Sequence, residues 1–241
     1  GEGAAAVAGP GVEGVEVLRG VSFALPKGET LVVMGGSGSG KTVMLRLVAG
    51  LIRPDAGQIR LFGENIERLS EEELLPIRRR MGYLFQGAAL FDSLSVYENV
   101  AFPLREHTNL REGEINERVV HFLSLVALTP DVLPLLPSEL SGGMRKRVGI
   151  ARALIGEPDM LLFDEPTAGL DPTNSRLVAE LIAELRTGVC DTAIVVTHDL
   201  ELTKTVADRA AILIDGRVPA IGPIGEVLNA RDEAVQAFLA G

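Results

Sequence analysis

The stretch Thr30-Leu31-Val32-Val33-Met34-Gly35-Gly36-Ser37-Gly38-Ser39-Gly40-Lys41-Thr42 decides the fold. Its first five residues are apolar or branched and suit a central strand. The glycine-rich run then ends in Lys-Thr and leads into Val43 to Leu51, whose periodicity predicts a helix. Strand, glycine-rich loop and helix in that order form a phosphate-binding loop. Its glycines let backbone N–H groups converge on phosphate oxygens with no Cβ in the way. The helix start adds partial positive charge. Lys41 is expected at the β- and γ-phosphates, and the Thr42 hydroxyl on Mg²⁺. Gly35, Gly36, Ser37, Gly38, Ser39, Gly40, Lys41, Thr42 and Val43 together make the predicted phosphate site.

A second piece lies far along the chain, at Met160-Leu161-Leu162-Phe163-Asp164-Glu165. An apolar strand delivers two carboxylates at its end, where ligands gather in open α/β sheets. Asp164 is expected to orient Mg²⁺ or its water shell, and Glu165 to act as general base on an attacking water. Such an arrangement serves in-line phosphoryl transfer, in which positioning and charge stabilisation supply most of the catalysis. No Asn-Lys-x-Asp guanine-reading segment is found, and neither a second substrate site nor a lid of the kind a kinase needs is identifiable.

Working outward, strands are predicted at Val17 to Leu25, Gly57 to Phe62, Met81 to Phe85 and Thr192 to Thr197. A hairpin is predicted for Ala211 to Ile221 around Asp215-Gly216. Helices are expected at Glu71 to Arg80 with a break at Pro76, and at Ser93 to Phe102. A further helix, Arg111 to Leu128, puts Ile115, Val119, Phe122 and Val126 on one face. Pro130 to Pro137 is a predicted loop. Ser141 is placed to cap a helix running to Leu154. Helices are also expected at Pro172 to Leu185, Leu200 to Ala207 and Asp232 to Leu239. Alternating strands and helices at both ends imply an α/β core. The middle reads as helical, so residues 1–241 are expected to be one domain, with 1–86 and 157–241 as the core and 87–156 as an inserted helical subdomain.

Bulk composition agrees with this. The chain has 241 residues, 46% of them hydrophobic, enough for one large domain. Its net charge of −10 and the absence of a basic stripe argue against a nucleic-acid partner. The short basic run Arg78-Arg79-Arg80 reads as a solvated helix end. A lone cysteine, Cys190, makes no internal disulfide and is expected in or beside a buried strand. No run approaches 18 apolar residues, the length that would suggest a membrane-spanning helix. Gly1 to Pro10 lacks the basic leader of a signal peptide and reads as a ragged or processed end.

Leu140-Ser141-Gly142-Gly143-Met144, within Pro137 to Leu154, resembles the signature of ABC ATPases and its helix. The resemblance implies a P-loop NTPase (RecA-like) core of α/β class with a helical subdomain and an N-terminal antiparallel β portion. It implies ATP as the nucleotide. It also implies a homodimer in which Ser141, Gly142 and Gly143 of one copy meet the γ-phosphate held by the P-loop of the other. Gln86 matches the glutamine loop, which senses Mg²⁺ and the attacking water. Gly169-Leu170-Asp171 matches the loop that crosses the dimer interface, and His198 matches the switch histidine. Members usually stack an aromatic residue on adenine near the first strand. The corresponding region here, about Gly9 to Gly14, has none, so the expectation is either a weaker apolar contact from Val17 or an N-terminus that is incomplete or unusual.

Three further segments, Leu84 to Leu94, Ala101 to His107 and Ser141 to Val148, resemble the ATPases of Mla/Mce-type lipid transporters, as does the close Phe238-Leu239-Ala240-Gly241. That resemblance implies permease partners, an MCE-domain protein and, in some systems, a STAS-domain regulator. It implies a peripheral position on the cytoplasmic side of the inner or plasma membrane. Residues 87–106, with Leu90, Phe91 and Leu94 exposed, are the expected permease groove. The alternatives are the ATPase of an amino-acid or ion importer, and a non-transport ABC protein. One set of motifs and no heptad run speak against the latter.

Overall fold

In the computed structural model, residues 5–7 and 16–240 are described. In chain order the elements begin with strands β1 (Ala5–Val7), β2 (Val21–Phe23) and β3 (Thr30–Met34), then helix α1 (Lys41–Val48). Short strands β4 (Gly57–Gln58), β5 (Arg60–Leu61) and β6 (Glu64–Asn65) precede α2 (Glu71–Arg79) and β7 (Met81–Leu84). The middle holds α3 (Val96–His107), α4 (Glu112–Leu125), two single 3₁₀ turns and α5 (Gly142–Leu154). Then come β8 (Met160–Asp164), α6 (Pro172–Gly188), β9 (Ala193–Thr197) and α7 (Leu200–Val206). The chain closes with β10 (Arg209–Ile214), β11 (Arg217–Pro223), α8 (Ile224–Leu228) and α9 (Glu233–Ala240).

These elements fall into two compact units, residues 1–79 with 192–241, and residues 80–191. In the first, β3 pairs in parallel with β9 on one side and β10 on the other. Every residue of β3 and of β9 is buried, as expected for strands covered on both faces. β11 runs antiparallel to β10 and alternates between exposed and half-buried positions along most of its length, as an edge strand does. The turn between them is Asp215-Gly216, and both residues have positive φ, the requirement of a tight hairpin turn. β1 pairs antiparallel with β2 and β4, which makes the antiparallel portion near the N-terminus. The terminal segment expected to be ragged therefore contributes a strand at Ala5–Val7.

In the second unit, β7 and β8 pair in parallel with Met81 opposite Met160 and Leu84 opposite Phe163. Helices α3, α4 and α5 pack together, and α5 also packs against β7. The predicted stripe Ile115, Val119, Phe122 and Val126 is buried at every position.

Several boundaries differ from expectation. The first predicted strand shrinks to Val21–Phe23, and Gly57 to Phe62 divides into β4 and β5. Pro76 does not break α2. Leu74 and Ile77 are buried, and Arg78 donates to Gly50 O and to Glu71, so tertiary contacts outweigh the one hydrogen bond that proline removes. Arg78 is half-buried rather than solvated. Helix α3 likewise continues through Pro103 to His107 and closes where Thr108 N–H donates to Leu104 O. The loop at 130–137 carries 3₁₀ turns at Pro130–Val132 and Pro137–Glu139, and α8 was not foreseen. Cys190 is buried. Among the described residues no helix is long and apolar enough to cross a membrane.

Candidate nucleotide site

The first unit carries the phosphate loop. β3 ends at Met34, and Gly35 N–H donates to Thr197 O at 3.3 Å, which ties the loop to the end of β9. The loop closes on Gly40, whose φ of 104° only glycine adopts readily. A Cβ there would also sit 2.8 Å from Leu18 Cδ2. Gly40 caps α1, so helix N–H groups at Lys41, Thr42 and Val43 open toward the loop. The helix itself starts two residues earlier than its periodicity suggested. Lys41 is buried, and its ammonium donates to Gly35 O at 2.7 Å and Gly36 O at 2.9 Å. The lysine thus folds back along the loop. Ser39 Oγ is buried with no hydrogen-bond partner among the described residues.

Val17 is half-buried, and its Cγ1 would lie 3.3 Å from a Cβ on Gly40, so it borders the loop. The region Gly9 to Gly14, the expected place of an adenine-stacking aromatic, lies outside the described residues. His198 is exposed and directly follows Thr197, the residue whose carbonyl receives Gly35. Asp199 next to it caps α7, accepting from Glu201 N and Leu202 N. Lys41, Thr42 and His198 therefore belong to one unit.

The second unit carries the other predicted residues. β8 ends on Asp164, which is buried, as is Glu165. Glu165 has a φ of 48° and precedes a proline. Both its chirality and the pre-proline restriction oppose a helical backbone there, at roughly 1–3 kcal/mol for such a residue. The turn is held at the Glu165 carbonyl, which accepts from Ala168 N at 3.2 Å and from Lys146 Nζ at 2.9 Å. Lys146 projects from α5 and is itself buried. Burial pulls its ammonium below the ordinary lysine range, and the Glu165 and Asp164 carboxylates push it back up.

At the head of α5, Ser141 is exposed and its Oγ accepts from Met144 N at 3.2 Å, as predicted for a cap. Gly142 is half-buried. Gly143 is buried, and a Cβ on it would meet the end of the Asn174 side chain, Oδ1, at 2.7 Å, so Asn174 would have to shift. Asn174 in turn donates to Asp171, and Asp171 caps α6 by accepting from Thr173 N and Asn174 N. The hydrogen bond from Asn174 keeps the Asp171 carboxyl below the usual range. The Asp171–Asn174 cap thus lies against the signature helix of its own chain.

Gln86 is exposed just beyond β7. After it, Gly87, Ala88 and Ala89 all have positive φ. Arg152 of α5 holds this left-handed run by donating to Ala88 O at 2.9 Å and Ala89 O at 3.1 Å, and it lies over the Phe91 ring. Of the expected apolar floor, Phe91 is exposed and rests on Phe102, whereas Leu90 and Leu94 are half-buried. Reading residue types alone missed Lys146, Arg152 and Asn174. The signal for Lys146 was faint: it falls on the same helical face as Gly143 and Ile150.

Comparison with known proteins agrees with these motifs. The ABC transporter family model matches residues 18–168. The chain is 43% identical over 221 residues to the intermembrane phospholipid transport system ATP-binding protein MlaF of Haemophilus influenzae, spanning 92% of this chain and 83% of MlaF. It is 42% identical over 221 residues to the probable ribonucleotide transport ATP-binding protein mkl of Mycobacterium tuberculosis, spanning 92% of this chain and 61% of mkl. Among solved structures, the dimeric post-hydrolysis state of the ATP-binding cassette MJ0796 bound to ADP and Pi superposes with a TM-score of 0.83 at 31% identity, over 91% of this chain and 96% of that one. With the fold, the motif order and the relatives in agreement, the chain belongs to the ABC transporter family and is one of its ATP-hydrolysing subunits.

Proposed function

We propose that this chain is the ATPase subunit of a lipid transporter, working as a homodimer beneath a membrane permease. The observation that carries the lipid reading is the 43% identity to MlaF over 221 residues, joined to the resemblance of Leu84 to Leu94, Ala101 to His107 and Ser141 to Val148 to lipid-transporter ATPases; the match to mkl is equally long at 42%. The resemblance to mkl favours a second reading, an importer of another solute, with ribonucleotides as the class its name suggests. Residues 1–86 and 157–241 are the proposed ATPase core and 87–156 the helical subdomain, with 87–106 as the permease-docking segment. An MCE-domain protein and a STAS-domain regulator are proposed partners. The place of action is the cytoplasmic face of the inner or plasma membrane, reached through the permease.

Two copies bind ATP between them, the P-loop of each facing Ser141, Gly142 and Gly143 of the other. Lys41 leaves the Gly35 and Gly36 carbonyls to meet the β- and γ-phosphates. Glu165 takes a proton from the attacking water, His198 holds the γ-phosphate and Asp171 meets the opposite copy. Val17 lies against the base. Thr42, Gln86 and Asp164 offer the hard oxygen donors that Mg²⁺ prefers. Among the described residues no group of three His, Cys, Asp or Glu forms a ready-made cation cage, which fits an ion carried largely by phosphate and water. When bound, Mg²⁺ neutralises charge on the transferring phosphoryl group. Closure of the dimer on ATP and its release after hydrolysis drive the permease.

Replacing Glu165 by Gln is expected to preserve ATP binding and nearly abolish hydrolysis; turnover at the wild-type rate would remove Glu165 from the role of base. For the cargo, the chain copurified with its native permease is expected to carry bound lipid and show lipid-stimulated ATPase activity. A complex without lipid, stimulated by ribonucleotide, establishes the second reading instead.

A further inference from the structure

We propose that Lys146 is a positioning residue for ATP hydrolysis: its ammonium grips the Glu165 carbonyl and so fixes the turn that aims the Glu165 carboxylate. This rests on the reading of Glu165 as general base. Three observations carry it. The ammonium is buried and donates to Glu165 O at 2.9 Å. Glu165 sits in a left-handed conformation immediately before Pro166, a backbone state that persists only where its surroundings impose it. The two donors on its carbonyl, Ala168 N–H and Lys146, come from opposite sides in sequence and fix the orientation of the Glu165–Pro166 peptide plane.

Lys146 is coupled to the acidic turn that it holds. Taking an ammonium out of water is costly, and the Glu165 carbonyl together with the buried Glu165 and Asp164 carboxylates offsets that cost. Methionine has the length and bulk of the lysine stem. Because Ser141 caps α5, one helix carries both the signature and the anchor of Glu165.

The test uses the purified full chain, with steady-state ATP turnover, equilibrium ATP binding and thermal melting measured for each variant. Lys146→Met is expected to lower kcat by about tenfold to a hundredfold, the scale of a small misplacement of a catalytic group. Its KM and ATP affinity are expected to stay within about twofold, a pattern that marks an interaction used in the transition state, while its melting temperature falls because the buried Glu165 and Asp164 carboxylates lose their cation. Lys146→Arg, which keeps a cationic donor, is expected to recover most of the lost rate. Lys146→Met in a Glu165→Gln background is expected to cost nothing further, because both changes act on one group. A Lys146→Met enzyme with wild-type kcat overturns the inference while Glu165→Gln, if inactive, leaves the base assignment standing. An active Glu165→Gln enzyme removes the base assignment itself. If Lys146→Met melts below the assay temperature, Lys146→Gln, with its shorter stem, decides on the same kcat criterion.

Discussion

At the scale of single residues, the second unit depends on polar groups buried with their partners. Asn99 is fully buried on α3, where Val96 and Val100 flank it on the apolar face. Its Oδ1 accepts from Phe91 N, and its Nδ2 donates to the carbonyls of Phe91, Leu94 and Ser95. One amide thereby satisfies the backbone of a loop that has no ladder of its own. Asn99→Leu takes the side-chain partner from Phe91 N–H and Leu94 O, whereas Phe91 O keeps Leu94 N–H and Ser95 O keeps the Asn99 backbone N–H, at roughly 1–3 kcal/mol. Urea unfolding is expected to show that loss in its midpoint, while Asn99→Leu with an unchanged midpoint would mean that water reaches the 91–95 backbone. Glu165 and Lys146 follow the same logic, with the difference that the strained backbone there serves turnover rather than stability.

At the scale of elements, helix starts show how acidic residues are used in this chain. α3 opens with a reciprocal capping box: Ser95 Oγ accepts from Glu98 N, and Glu98 accepts from Ser95 N. That backbone hydrogen bond holds the Glu98 carboxyl below its ordinary range. Glu73 at the head of α2 is lowered in the same way by Ser70. Ion pairing with Arg78 and Arg105, led by the hydrogen bond, lowers Glu71 and Glu112. A carboxylate depressed in the folded state contributes stability that is complete above the unfolded value, about 4.3, and is lost as pH falls through the folded value. Stability is therefore expected to decline on acidification below about pH 4.3. Glu98→Gln keeps the capping bond without titrating, so its unfolding midpoint is expected to fall less steeply with acid than wild type. An identical slope would exclude Glu98 from the acid response. Separately, Ser95→Ala is expected to cost about 1 kcal/mol at neutral pH in chemical unfolding.

At the scale of the whole molecule, neither unit alone holds all of the predicted residues. The first holds the phosphate loop, Val17 and His198. The second holds Gln86, the signature, Asp164, Glu165 and Asp171. The proposed mechanism adds the requirement of a second copy. Glu165→Gln with ATP and Mg²⁺ is expected to run as a dimer in size-exclusion chromatography with light scattering, and as a monomer without nucleotide. Adding Ser141→Arg, which crowds the signature surface while leaving Lys41 in place, is expected to return the ATP-loaded protein to the monomer. A dimer that survives that second change would place the interface elsewhere.

What the sequence by itself determined was local. The strand at Thr30–Met34, the glycine-rich turn and the following helix are specified by neighbouring residues, because apolar runs, glycine spacing and helical period act over a few positions. The same holds for β8 delivering Asp164 and Glu165, and for the Asp215-Gly216 hairpin. Where only tertiary structure decided, the determining contact lies far along the chain or opposes local preference. Pro76 and Pro103 sit inside helices because long-range packing and side-chain pairing outweigh one missing N–H. The left-handed backbone at Ala88, Ala89 and Glu165 runs against the preference of those residues, and it is stabilised by Arg152 and Lys146 reaching across from α5. A lysine in sequence looks solvated; burial and a partner nineteen residues away make Lys146 part of the site, since hydrogen bonds between distant segments exist only after the chain has folded.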